Sequence, residues 1–440
     1  MMKKVLFVIE YYSVKYGGVK LKGRNKKLKI ALIAIVLLIA IPFAAFKLQG
    51  ISLVKSSENN ELSETADSEE EKSLKENKTS AEDKKKDKSE EKEKSEEEKV
   101  SQRVTFMGVG DNLIHDNVYR DALQDDGTYD FKPMYEKVGD LISEKDIAYI
   151  DQETIIGGDE FGLSGYPVFN TPEDMAPNVK DVGFDIVNIA NNHVLDKGPQ
   201  GIINTREIWD QQGLTVDGAF ATEEQSREIP VIEKNGMKIA FLCYTYGTNG
   251  IIPDTDWRVR YFDEENIRRD IEEAKKISDF ILVSAHWEDE NFIGKTEYQE
   301  NYANLFNELG VDVVLGTHPH VIGPVEEKVN ADGEKTLVIY STGNFLSAMY
   351  DRDNMLGYTA TFDFVNENGE KRIENIKMIP TVTYYEFTPR GTWGNFKIYK
   401  LDDYTDELGY SHLIAQSKGA DMSPAYFRGV FENTVAPEFR

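Results

Sequence analysis

The chain has 440 residues, with 78 acidic residues against 51 basic ones and a formal net charge of −27. The charge is uneven: residues 1–54 carry about +9, residues 55–100 about −6 and the remainder about −30. An acidic body of that size argues against nucleic acid, which needs a Lys/Arg footprint, and against a domain lying flat on anionic lipid. It leaves room for an anionic substrate if metal ions or local arginines such as Arg258 and Arg260 receive it. The single cysteine, Cys243, lies in an apolar run and reads as a core residue, so no intramolecular disulfide supports the fold.

Residues 1–29 are basic and read as a cytoplasmic segment. Residues 30–46 are apolar and uncharged, with one proline at Pro42, and are long enough for a short transmembrane anchor. The preceding Lys20, Lys22, Arg24, Lys26, Lys27 and Lys29 place the N-terminus inside and the rest of the chain outside the cell. The competing reading is a cleaved signal peptide ending near Ala44-Ala45. Residues 47–102 are a charged linker rich in Glu, Lys and Ser, too poor in apolar residues to fold alone.

From residue 103 the texture changes. Strand-like runs begin at Val104, Asp146, Phe184, Lys238, Phe280, Val311 and Lys335, and helical spacing is expected over residues 133–145, 201–212, 264–278 and 296–309. Strand–helix alternation with short connections is the pattern of a layered α/β domain over residues 103–385. Strands near residues 358–365 and 372–383 have no helix between them and predict an antiparallel part of the sheet. Residues 386–440 form an aromatic C-terminal extension expected to pack back on the domain.

Polar residues cluster directly after the strand-like runs, where open α/β sheets build their sites. They are Gly110-Asp111, Asp151-Gln152-Glu153, Asn191-Asn192-His193, His286-Trp287 and Gly316-Thr317-His318-Pro319-His320. Together they offer carboxylates, an amide and imidazoles, a mixed O/N donor set that suits Mn, Fe or Zn at two close positions. Taken singly, each has a plainer reading: a turn for Gly-Asp, an Asx turn for Asn-Asn, a structural histidine after a strand.

In this order, and with Ser341-Thr-Gly343-Asn344-Phe345 following, the motifs resemble the CapA/PgsA family of poly-γ-glutamate capsule biosynthesis, over roughly residues 104–364. That family is similar in turn to calcineurin-like metallophosphoesterases. The resemblance implies a four-layer α-β-β-α sandwich, preceded by one transmembrane helix and a disordered linker. It implies two divalent metal ions held by Asp111, Glu153, Asn192, His286, His318 and His320, with Asp111, Glu153 and His193 as the catalytic group. Asn344 and His115 are expected to orient substrate or a loop. One departure stands out: Leu113, two residues after Asp111, occupies the place where phosphoesterases of this fold carry a histidine. The implied partners are the membrane, poly-γ-glutamate and membrane synthetase subunits. The implied activity is metal-dependent hydrolysis in capsule synthesis or export; the alternatives are an envelope phosphoesterase or amide hydrolase on another substrate, and a non-catalytic scaffold of an export complex.

Overall fold

The smaller of two sheets shows most directly how the sequence sets the architecture. Its strands β6 (Met237–Thr245), β7 (Phe280–His286) and β8 (Val313–Thr317) are parallel and buried almost end to end, which is why they read as unbroken apolar runs. Side chains alternate between two cores. Phe241, Leu282, Leu315 and Ile339 face the other sheet, whereas Leu242, Val283, Val314 and Val338 join Trp287, Phe306 and Tyr340 beneath the helices. Those helices are Glu264–Ile277, capped by Asp263, and Glu297–Glu308, started by a capping box between Thr296 and Gln299. The strands β5 (Val231–Lys234), β9 (Val325–Val329) and β10 (Lys335–Ile339) complete a sheet of order β5-β6-β7-β8-β10-β9.

The larger sheet holds β1 (Ser101–Leu113), β2 (Ile147–Asp151), β3 (Ile186–Asn188) and β4 (Thr215–Asp217), joined in parallel. On the far side of β1 come β12 (Leu356–Glu367), β13 (Glu370–Phe387) and β14 (Trp393–Lys400), all antiparallel, while β11 (Asn344–Ser347) pairs with the end of β1. Helices also pack against β4, β13 and β14 of this sheet. The two sheets are stitched by buried polar contacts: Tyr149 Oη lies 2.5 Å from Ser284 Oγ, and Asn188 Nδ2 donates to the same oxygen at 3.1 Å.

This computed structural model describes residues 101–440. The expected cytoplasmic segment, the anchor expected at residues 30–46 and the expected linker up to residue 100 lie outside them; among the described residues no helix is long and apolar enough to cross a membrane. Two expected boundaries shift and one expected helix is divided. Ser101 and Gln102, placed in the linker, already pair with Glu367 and Asn366 of β12. The single helix expected over residues 133–145 is broken into Lys132–Tyr135, a 3-10 turn at Glu136–Val138 and Gly139–Ser143, where Gly139 weakens helix continuity. The boundary at residue 385 falls inside β13, and the extension supplies the edge strand β14, with Phe396 and Ile398 buried. Backbone pairing, not only aromatic packing, thus joins the C-terminal residues to the domain.

Candidate metal centre

Register brings the polar residues together. On the larger sheet Asp111 stands beside Asp151 on one flank and Asn344 on the other. On the smaller sheet Thr245, His286 and Thr317 share one row. The chain then turns through Gly316-Thr317-His318-Pro319-His320. A Cβ at Gly316 would run into the carbonyl oxygen of Tyr340, so only glycine lets β8 lie this close to its neighbour. Both histidines adopt left-handed backbone, φ 90° at His318 and 59° at His320, a conformation that costs a non-glycine residue energy and is held only by its surroundings. The holding contacts are a hydrogen bond from the His318 N–H to Asp111 Oδ1 at 3.0 Å and one from the Asn291 N–H to the Pro319 carbonyl at 2.8 Å.

Glu153 lies at the middle. It follows β2 in a loop pinned by Gln152, which accepts from Asn112 Nδ2 at 2.8 Å and donates to Thr154 Oγ1 at 2.9 Å. The Glu153 side chain is fully buried, and neither carboxylate oxygen has a hydrogen-bond partner among the described residues. Around its Oε1 stand His286 Nε2 at 3.8 Å, His318 Nδ1 at 3.8 Å and His320 Nε2 at 3.5 Å. Most of these separations are too long for hydrogen bonds. They match two ligands of one cation, which sit about 3–4 Å apart when each is ~2.0–2.2 Å from the ion. The donor set therefore fits a divalent cation, and the groups Asp111–Glu153–His320 and Glu153–His286–His318 share Glu153. Asn192 adds an amide: its Oδ1 lies 3.0 Å from His286 Nε2, while its Nδ2 donates to Asn249 Oδ1 at 3.3 Å.

Burial shapes the charges. It pushes Glu153 well above the usual carboxylate range and Asp151 up to about 7. It holds His286 down at about 3 and His318 well below the usual imidazole range. Burial also opposes a proton on His320, but Glu153 and Asp111 outweigh it and raise that imidazole to about 10.

All six ligands expected from sequence, Asp111, Glu153, Asn192, His286, His318 and His320, thus meet in one place. Asn344 joins them through its Oδ1, 3.0 Å from His320 Nδ1. His193 lies beside the group, its Nδ1 2.8 Å from Asp196 Oδ2, an oxygen that also accepts the Phe169 N–H at 2.7 Å. His115 stands apart from the candidate ligand groups: its Nδ1 takes the N–H of Ala348 at 3.2 Å, and its ring packs on Phe169, which also contacts His193. The ligand assignment missed Asp151, whose Oδ2 lies 3.0 Å from His286 Nδ1, although it sits in the same short motif as Glu153. It also missed Asp196, three residues after His193, and Glu290, for which no local pattern gave a signal.

One expectation is overturned. Arg258 and Arg260 do not offer charge to an anionic substrate. Both are buried: Arg258 is bound to Asp254 and to the carbonyls of Phe220 and Ala221, and Arg260 is paired with Asp217 and Asp270. Each is neutralised by carboxylates its own fold supplies.

A two-sheet α/β protein with a buried carboxylate–imidazole–amide centre is the class that fold and site define. The chain belongs to the bacterial capsule synthesis protein PGA_cap family, whose pattern matches residues 105–349. Its relatives include the PGA biosynthesis protein CapA of Bacillus subtilis (strain 168), 29% identical over 236 residues. That match spans 50% of this chain and 56% of the relative, little more than half its length. The capsule biosynthesis protein CapA of Bacillus anthracis is 25% identical over 288 residues, 60% of this chain and 68% of that one. Among solved structures, a putative 5'-nucleotidase from Staphylococcus aureus is similar at a TM-score of 0.41 and 14% identity, over 63% of this chain and 54% of that one.

Proposed function

We propose that this chain is a membrane-anchored, extracellular protein of poly-γ-glutamate capsule synthesis or export, with a calcineurin-like metallophosphoesterase fold and a hydrolase-type centre for two divalent cations. The observation that carries the reading is Glu153: a fully buried carboxyl group with neither oxygen hydrogen-bonded among the described residues and three imidazole nitrogens 3.5–3.8 Å away. Buried polar atoms left without hydrogen bonds are costly, and a cation shared with the surrounding imidazoles would satisfy them. Family membership supports the capsule role, and the apolar run at residues 30–46 supports the anchor. Poly-γ-glutamate and membrane synthetase subunits are the partners this reading names.

Asp111, Glu153 and His320 would hold one cation; Glu153, His286, His318 and Asn192 would hold the other. Mn, Fe and Zn suit this donor set. A bound cation supplies Lewis-acid polarisation of a carbonyl or phosphoryl oxygen. The rest is the work of the chain. Asp196 fixes Nδ1 of His193, which leaves Nε2 to exchange a proton with a leaving group. Asn344 and Asp111 orient His320, and Asp151 with Thr317 orients His286.

Elemental analysis of the purified full chain tests the reading, with His318→Ala and Asp111→Ala beside it. About two cations per chain, reduced in both variants, is the expected result. A folded chain that takes up no Mn, Fe or Zn leaves only the scaffold reading.

A further inference from the structure

The three imidazoles around Glu153 follow one rule: one ring nitrogen faces its Oε1, and the other faces a further oxygen. For His286 that further oxygen is Asp151 Oδ2 at 3.0 Å; for His320 it is Asp111 Oδ2 and Asn344 Oδ1, each at 3.0 Å. These partners are fully or almost fully buried. For His318 the Nε2 faces Glu290 Oε1 at 3.9 Å, and the Glu290 side chain is 54% exposed. Glu290 belongs to no strand. It sits in the loop after β7, which is fastened at Asn291 by its N–H to Pro319 and by Asn354 Nδ2 donating to its side chain at 2.7 Å. Beyond that fastening Phe292 and Ile293 are exposed.

We propose that Glu290 is the orienting carboxylate of His318, a positioning residue that a surface loop delivers to an otherwise buried centre. The inference rests on the proposal that this centre holds cations. With Nδ1 turned to the ligand group shared with Glu153, Nε2 carries the hydrogen and needs an acceptor, and Glu290 Oε1 faces it. At 3.9 Å the contact closes by a small loop movement; Glu290, His318 and His320 also lie close enough together to share a cation, so the test separates an orienting carboxylate from a direct ligand. His318 is then the ligand whose orientation depends on the position of a loop at the surface, so cation binding and ordering of that loop are coupled.

The test is Mn(II) titration calorimetry on the full chain, with the Co(II) visible absorption band as a second readout, for wild type, Glu290→Ala and Glu290→Gln. Loss of an orienting partner weakens cation binding about 10–100-fold. Glu290→Ala is expected to weaken one Mn(II) by at least about tenfold and to shift the Co(II) band. Glu290→Gln, which keeps an acceptor oxygen, recovers part of both; a cation lost as fully in Glu290→Gln as in Glu290→Ala would make Glu290 a direct ligand and overturn the orienting role. Thermal unfolding in EDTA stays the same in all three, because the side chain is largely exposed. Wild-type affinity and an unshifted Co(II) band in Glu290→Ala overturn the inference while leaving the cation centre standing. Absence of Mn(II) binding in the wild type overturns the cation centre, and this inference with it.

Discussion

Nδ1 of His318 lies 3.8 Å from Oε1 of Glu153, and neither atom has a hydrogen-bond partner among the described residues. Two buried polar atoms that face each other without a hydrogen bond between them define a gap suited to a third, positively charged body. That gap yields the first prediction. Glu153→Gln keeps the shape and removes the ionisable group that burial disfavours. In EDTA its melting temperature should equal or exceed that of the wild type. A cation at ~100 times its Kd adds about 2.7 kcal/mol to the wild type, and that gain should vanish in the variant. Differential scanning calorimetry with and without Mn(II) reads both effects; an equal Mn(II)-induced rise in the variant would remove Glu153 from the ligand set.

Asp196 accepts from both His193 Nδ1 and the Phe169 N–H. Asp196→Asn should therefore leave cation content unchanged while lowering hydrolytic turnover about 10²–10⁴-fold, the range for a mispositioned acid or base. Elemental analysis paired with cleavage of a chromogenic phosphodiester and a γ-glutamyl anilide separates the two effects. Loss of cation in this variant would make Asp196 part of the binding site instead.

Gly316 has no room for a side chain beneath the Tyr340 carbonyl. Gly316→Ala must move the backbone that carries His318, so a cost of about 1–3 kcal/mol is expected together with reduced cation uptake. Urea unfolding gives the first and elemental analysis the second. Normal stability with normal uptake would show that β8 tolerates the added methyl.

His412 lies far along the chain from every candidate ligand and supplies a pH prediction free of the centre. Burial lowers its imidazole to about 4, its Nε2 is 3.1 Å from the Thr383 carbonyl, and its Nδ1 accepts the Ile414 N–H. Unfolded, it takes up a proton near pH 6.5; folded, only near 4. Unfolding thus binds a proton in that window, and stability falls as the pH drops from 6.5 to 4, by something on the order of 3 kcal/mol from this group. His412→Gln should lower stability at pH 7 but flatten its decline below 6.5. Urea midpoints across that range measure the slope, and an unchanged slope would remove His412 from the acid response.

The central strands and the polar residue types at their ends are legible in the sequence. Unbroken apolar runs such as residues 280–285 mark strands buried on both faces, because parallel strands leave no face to water. Polar residues placed directly after those runs mark a site, because strand ends are where side chains can converge. The order Asp111, Glu153, Asn192-His193, His286, His318-Pro-His320 was therefore legible before any coordinates. Tertiary structure alone decided the rest. That three imidazoles share Glu153 depends on register within each sheet and on the packing of one sheet against the other, which no local pattern encodes. Arg260 is closed off by Asp217 and Asp270, partners from other elements that no local pattern around Arg260 announces. β14 looked like part of a tail because an edge strand is defined by the neighbour it pairs with, here β13. Glu290 gave no signal because a loop residue acquires its partner, His318, only when the loop is folded against it.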